Sequence, residues 1–193
     1  VGYIVDGANG LTEDGEERMV MTPWSKEPMP FTQAAEFGTQ KVIHDHSTVG
    51  VVVTTDGSFG ELERGVYLEA EERTIRELKE IGKAFVVLVN SIHPYSEETI
   101  NVVQEIRDKY DVEVMAVNAS QLRKEDILEI MERILRAFPV SQIEFNLPKW
   151  VEMLPNSHWL KAELFEKVRQ ILAGIAKISD VTREHFQVDS DMI

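Results

Sequence analysis

Three short stretches carry residue types that could hold a polar ligand: Thr54-Thr55-Asp56-Gly57-Ser58, Asn90-Ser91-Ile92-His93-Pro94 and Asn118-Ala119-Ser120. Each is small, polar or glycine-bearing, as close backbone approach to a ligand requires, and each follows an apolar run. Asn90 is the sharpest candidate. An asparagine offers both a donor and an acceptor, so it can tie neighbouring loops together or bond the edge of a base. The structural alternative is that turns after strands favour Asp, Gly, Ser and Asn in any protein. Three such stretches in succession shift the balance modestly towards a site.

Other chemistry-bearing residues point elsewhere. His44 and His46 lie two apart, which turns them in different directions on a helix, and with His93 they read as surface histidines rather than metal ligands. Trp24, Trp150 and Trp159 have no interleaved basic residues, so they read as packing anchors. Glu69, Glu71 and Glu72 read as a favourable acidic helix start. With no cysteine, disulfide scaffolds, thiolate zinc sites and cysteine nucleophiles are excluded. No Gly-x-x-x-x-Gly-Lys-Ser/Thr loop is present, so these residues alone should not hydrolyse a nucleotide.

The elements that must position the three stretches follow from periodicity. Thr32 reads as the N-cap of a helix ending near His46. The run Val49 to Val53 then fits a strand buried on both faces. A helix over Leu68 to Ile81, closed by Gly82, leads to a strand over Phe85 to Val89. A helix over Glu97 to Tyr110 leads to a strand over Val112 to Val117. A further helix from Lys124 to Phe138 places Ile127, Ile130, Met131, Ile134 and Leu135 inward and stops at Pro139. Helix alternating with apolar strand predicts an α/β fold, a parallel sheet with helices on both faces. In such sheets a ligand lies beyond the carboxyl ends of the strands, where the three stretches sit.

A boundary is expected near residue 140, giving regions 1–139 and 140–193. Beyond it, Val140 to Leu147 alternates as a half-buried strand would, Trp150 sits in a turn or short helix, and a last helix spans about Trp159 to Ile178. The first thirty residues, with Gly7, Gly10, Gly15, Pro23, Pro28 and Pro30, read as an irregular and mobile loop. The net charge of −14 argues against a nucleic-acid binder. No apolar run reaches the length of a membrane span and no signal peptide is visible, so a cytoplasmic protein is the default expectation. Beginning at Val1 with what reads as a strand end, the sequence is expected to be an internal piece of a longer protein.

The order of elements matches the C-terminal half of a P-loop GTPase-like parallel sheet with flanking helices, followed by a short strand and helix of the next region. More closely, the chain resembles the stage IV sporulation protein A family. The resemblance is carried by Thr22-Pro23-Trp24, Lys41-Val42-Ile43, His46-Ser47-Thr48, Val53-Thr54-Thr55-Asp56-Gly57, Glu69-Ala70-Glu71-Glu72-Arg73, Val89-Asn90-Ser91, Asn146-Leu147-Pro148 and His158-Trp159-Leu160. It spans nearly the whole chain up to about Asp180.

That resemblance implies a spore coat morphogenetic ATPase. Such a protein binds and hydrolyses ATP with Mg and self-assembles into a static polymer, the basement layer of the coat. It works as a peripheral protein on the mother-cell side of the outer forespore membrane, recruited by a small amphipathic membrane-bound peptide, alongside other coat proteins. The phosphate loop and the magnesium-binding aspartate would lie before Val1, with Gly2 the remnant of that aspartate's motif. Residues 1–139 would then be a partial ATPase domain, inactive alone, and 140–193 the start of a middle region. The expected nucleotide-binding residues are Gly2, Asn90, Ser91 and Asn118.

GTPases of this class use Asn-Lys-x-Asp, whose carboxylate pairs with guanine's two donors. Here Asn90-Ser91-Ile92-His93 keeps the asparagine and lacks the aspartate, so guanine specificity is not supported. The alternative is a non-catalytic α/β scaffold that binds partners and no nucleotide. A GTPase is the third reading, disfavoured by His93. The missing strand would also leave Val49 to Val53 with an open edge. Copies are then expected to associate through it, or residues 1–30 to cover it.

Overall fold

The computed structural model describes residues 2–5 and 18–181. The chain forms two compact units, Val1–Ile134 and Leu135–Ile193.

In the first unit, β1 (Met19–Val20) pairs antiparallel with β2 (Met29–Pro30), so the early residues are not wholly irregular. The expected loop's residues 6–17 lie outside the described residues. Helix α1 (Phe31–Lys41) starts directly after Pro30 and continues as a π-helical turn over Val42–His46. Thr32 therefore lies inside the helix and is not its cap. The fixed φ of proline already sets the entry of the chain, and no side-chain oxygen caps this helix.

Strands β3 (Val49–Thr55), β4 (Ala84–Asn90) and β5 (Val114–Val117) form a parallel sheet in that order. The helices between them are α2 (Leu68–Glu80) and α3 (Glu97–Tyr110), and α4 (Lys124–Arg136) follows β5. The fold is thus mixed α/β, a parallel sheet flanked by helices, consistent with a P-loop nucleotide-hydrolase class. Val52, Val87 and Val114 stand in register across the sheet and pack with Ile75 and Leu78 of α2 and Ile106 of α3. Gly50 permits the close approach of β3, since a Cβ there would stand 2.9 Å from the Cβ of Phe85. Gly82 closes α2 as expected. At φ +67° its N–H reaches the Lys79 carbonyl and the N–H of Lys83 reaches Leu78, a Schellman arrangement.

The burial on both faces expected of β3 is not met there and is found in its neighbour β4. Val51 and Val53 are 47% and 62% exposed, while Val86 and Leu88, their register partners, are buried. An apolar run shows that a strand is apolar and not which neighbours cover it. The same limit applies to α4, where only Ile134 of the predicted inward set is buried and Ile127, Met131 and Leu135 are more than half exposed.

In the second unit, α5 (Lys149–Glu152) holds the short helical turn around Trp150, and α6 (Trp159–Ala173) ends five residues before the expected Ile178. The stretch Val140 to Leu147 forms no ladder. Its side chains alternate in burial from Gln142 to Leu147, and the only pairing there among the described residues is the bridge of Pro139 with Lys177. Alternation specifies side-chain direction, while a strand also needs a partner backbone. Trp150 and Trp159 are 59% and 56% exposed, so neither is the packing anchor its type suggested. Trp24, at 43%, packs against Phe37 of α1 and over Gly38.

Candidate functional site

The carboxyl ends of β3, β4 and β5 are knitted together by short polar side chains. The Asp56 carboxylate accepts the N–H of Ser58 at 2.9 Å and hydroxyls from Ser58 at 2.5 Å and Thr99 at 2.7 Å. Burial pushes the pKa of Asp56 up, but hydrogen bonds from Ser58, Ser91 and Thr99 outweigh it and bring the pKa down to about 2. Thr99 and Ser91 are buried and share a hydrogen bond of 3.0 Å. The Ser91 hydroxyl accepts the N–H of His93, and the Ser58 hydroxyl accepts the N–H of Ile92, both at 2.9 Å. Ser96 caps α3 through the N–H of Thr99.

A second tie joins β4 to the loop after β5. Asn90 accepts the N–H of Ala119 through its side-chain oxygen at 2.9 Å. Asn118 accepts the N–H and the hydroxyl of Ser120 and donates to the Ile92 carbonyl at 3.4 Å. Of the two roles open to an asparagine here, Asn90 fills the loop-tying one. The turn chemistry that competed with a functional reading is also real, because Asp56, Ser91 and Asn118 all bond backbone two residues on.

Between these loops lies a cleft of about 440 Å³ bordered by Ile92, His93, Tyr95, Asn118, Arg123 and Asp126. That volume is in the range of small-ligand sites. Arg123 is the residue before α4 and is held by Asp126, which accepts its backbone N–H at 2.8 Å and its guanidinium at 3.0 and 3.1 Å. These bonds lower the pKa of Asp126 and raise that of Arg123.

The four predicted residues do not converge. Asn90, Ser91 and Asn118 share the strand tips, with the Ser91 side chain buried inside the network and Asn118 bordering the cleft. Gly2 borders a different cleft, of about 370 Å³, along β3 with Tyr3, Val51, Glu71 and Thr54. There the hydroxyl of Thr39 donates to the Gly2 carbonyl at 3.0 Å, Arg73 stacks over the Tyr3 ring at 4.0 Å, and the Tyr3 hydroxyl bonds Glu77. Burial, then the bond to Glu77, raises the Tyr3 pKa.

Sequence reasoning missed Thr99, Arg64, Tyr95 and Arg123. Thr99 is three residues after the α3 cap and could have been found as a polar residue on the helix face turned to the sheet. Arg64 left no signal: it reaches over to pair with Glu71 at 3.2 Å and to bond the Thr55 carbonyl at 2.9 Å. Glu71, 5% exposed, is thus more than an acidic helix start. His44, His46 and His93 are exposed, as surface histidines should be.

With this geometry in place, comparison with known proteins is decisive. The family model described as "Stage IV sporulation protein A, ATPase domain" matches residues 1–139, and "Stage IV sporulation protein A, middle domain" matches 140–193. The chain belongs to the stage IV sporulation protein A family. Relatives named Stage IV sporulation protein A include that of Bacillus subtilis (strain 168), 46% identical over 95% of this chain, and that of Clostridioides difficile (strain 630), 49% identical over 94%. That of Bacillus anthracis is 44% identical over 97%. The chain spans 37% to 38% of the length of these relatives. No solved structure matches it. Within the family's ATPase-domain match lie the whole parallel sheet and the cleft at its tips. No helix among the described residues is long and apolar enough to cross a membrane.

Proposed function

We propose that this chain is part of a longer spore coat ATPase that binds and hydrolyses ATP and uses the cycle to assemble the coat basement layer around the forespore. The observation that carries this reading is the ATPase-domain match over 1–139, laid on a parallel sheet whose strand tips border a ligand-sized cleft. Regions 1–139 and 140–193 are assigned to a partial ATPase domain and the start of the middle region. Asn90 and Ser91 hold the tip loops in place for the nucleotide, Asn118 borders its base, and Gly2 belongs to the phosphate side.

The residues present fit the base end of ATP. They do not fit its magnesium: among the described residues no three His, Asp or Glu side chains gather, and the sequence has no phosphate loop. Those parts are assigned to a preceding segment of the longer protein, and no hydrolytic step is assigned to residues of this chain. Self-association into a polymer, contact with a small amphipathic membrane-bound peptide and other coat proteins, and peripheral placement on the mother-cell side of the outer forespore membrane complete the proposal.

Calorimetric titration of ATP into the full-length protein, beside this chain alone, tests it. Binding only by the full-length protein is expected. Absence of binding by both sinks the ATPase reading and leaves the partner-binding scaffold; tight, GTP-selective binding by the full-length protein establishes a GTPase instead.

A further inference from the structure

The loop from Ser91 to Ser96 has its backbone pinned and its largest side chains free. The N–H groups of Ile92 and His93 are taken by Ser58 and Ser91, and the His93 carbonyl accepts the N–H of Ser96 at 2.9 Å. Such a concentration of short polar side chains, two of them buried, holds a loop in one conformation. What that loop presents outward is Ile92, 45% exposed, and Tyr95, 78% exposed, the most exposed aromatic among the described residues. Both border the 440 Å³ cleft. Across it, on the loop after β5, the Arg123 guanidinium has its edge occupied by two bonds to Asp126, which leaves its planar face for stacking.

An exposed aromatic ring on a loop whose backbone is pinned, and a guanidinium held by a carboxylate, on the two walls of one cleft match a flat, π-faced ligand. We propose that Tyr95 and Arg123 clamp the nucleobase of the bound nucleotide, with Ile92 closing the apolar floor. The assignment rests on the nucleotide-binding reading above. Stacking takes any base with a π-face, so this clamp supplies affinity and leaves the choice of base to other contacts.

The test uses the full-length protein, with ATP and inorganic tripolyphosphate titrated calorimetrically into the parent, Tyr95→Ala, Tyr95→Phe and Arg123→Ala. Base stacking predicts that Tyr95→Ala weakens ATP binding roughly 5- to 100-fold, with Arg123→Ala following in the same direction. Tyr95→Phe, which keeps the ring, should stay close to the parent, and tripolyphosphate affinity should be unchanged in every variant. ATP affinity unaltered in Tyr95→Ala overturns the clamp while leaving the nucleotide reading intact. So does a parallel loss of tripolyphosphate, because a base clamp does not touch phosphate. If the parent binds no ATP, the nucleotide reading fails first and takes the clamp with it.

Discussion

Strands β3 and β4 are neighbours of equal length and similar apolar composition, yet they are held in different ways. From Ala84 to Val89 every residue of β4 is buried. β3 buries Val52 and Thr54 on one face and leaves Val51 and Val53 exposed on the other, where only Thr55 at its end is buried. Its ends are secured by polar ties instead. Lys83 donates to the carbonyls of Ile43, His44 and Ser47 just before β3, and Arg64 and the Asp56 network hold its carboxyl end. Burial is non-directional and fixes a strand wherever neighbours cover it. Where cover is missing, hydrogen bonds at the termini carry the positioning, and the loops at the strand tips grow from those termini.

Ile75 is fully buried against β3 and β4, so Ile75→Ala should cost about 4 kcal/mol in urea unfolding, in line with large-to-small core changes. A cost below about 1 kcal/mol would show that this face is not the common core. The end of β3 comes next. Arg64→Ala leaves the Glu71 carboxylate buried without its cation and should cost about 3 kcal/mol. The double change Arg64→Met with Glu71→Leu should recover most of that loss, since it removes both charges together.

Thr99→Val deletes the hydroxyl shared by Asp56, Ser91, Ser96 and the His93 carbonyl, and should cost about 2 kcal/mol with faster amide exchange at Ile92 and His93. Acid sharpens the same point more gently. Because the folded-state pKa of Asp56 is lowered to about 2, its carboxylate contributes stability above the ordinary value near 3.8. That stability is lost as pH falls from there through about 2, a change of about 1 kcal/mol for a partly exposed group. Asp56→Asn should flatten that segment of the stability–pH curve. The smallest effect belongs to the bare face: Val53→Thr should shift stability by less than about 0.5 kcal/mol. If copies pair through the open edge of β3, Val53→Lys should also lower the sedimentation coefficient of concentrated samples, and equal sedimentation of the two would sink that idea.

Much of the fold is legible in the residues. Helix α3 runs from Glu97 to Tyr110, the span its periodicity predicts, and Gly82 closes α2 because only a residue tolerant of positive φ fits there. Local pattern also finds the tip stretches, since a chain leaving a buried strand must satisfy its backbone with short polar side chains. The exposed apolar stripe on α4, the ladderless stretch from Gln142 to Leu147 and the exposed Trp150 and Trp159 escape it. Each depends on whether a covering or pairing neighbour exists, and that information is not local.

For the tip site, sequence alone determined the alternation of strand and helix, the places where the chain turns back, and the presence of Asn90, Ser91 and Asn118 at those turns. Those follow from periodicity, from backbone φ preferences and from the side chains able to satisfy a turn. Only the tertiary structure decided that Ser91 faces inward, that Asn90 ties two loops, that Gly2 borders another cleft, and that Tyr95 and Arg123 border the cleft at the tips. Those are outcomes of packing and long-range hydrogen bonding, which bring together residues that no spacing along the chain relates.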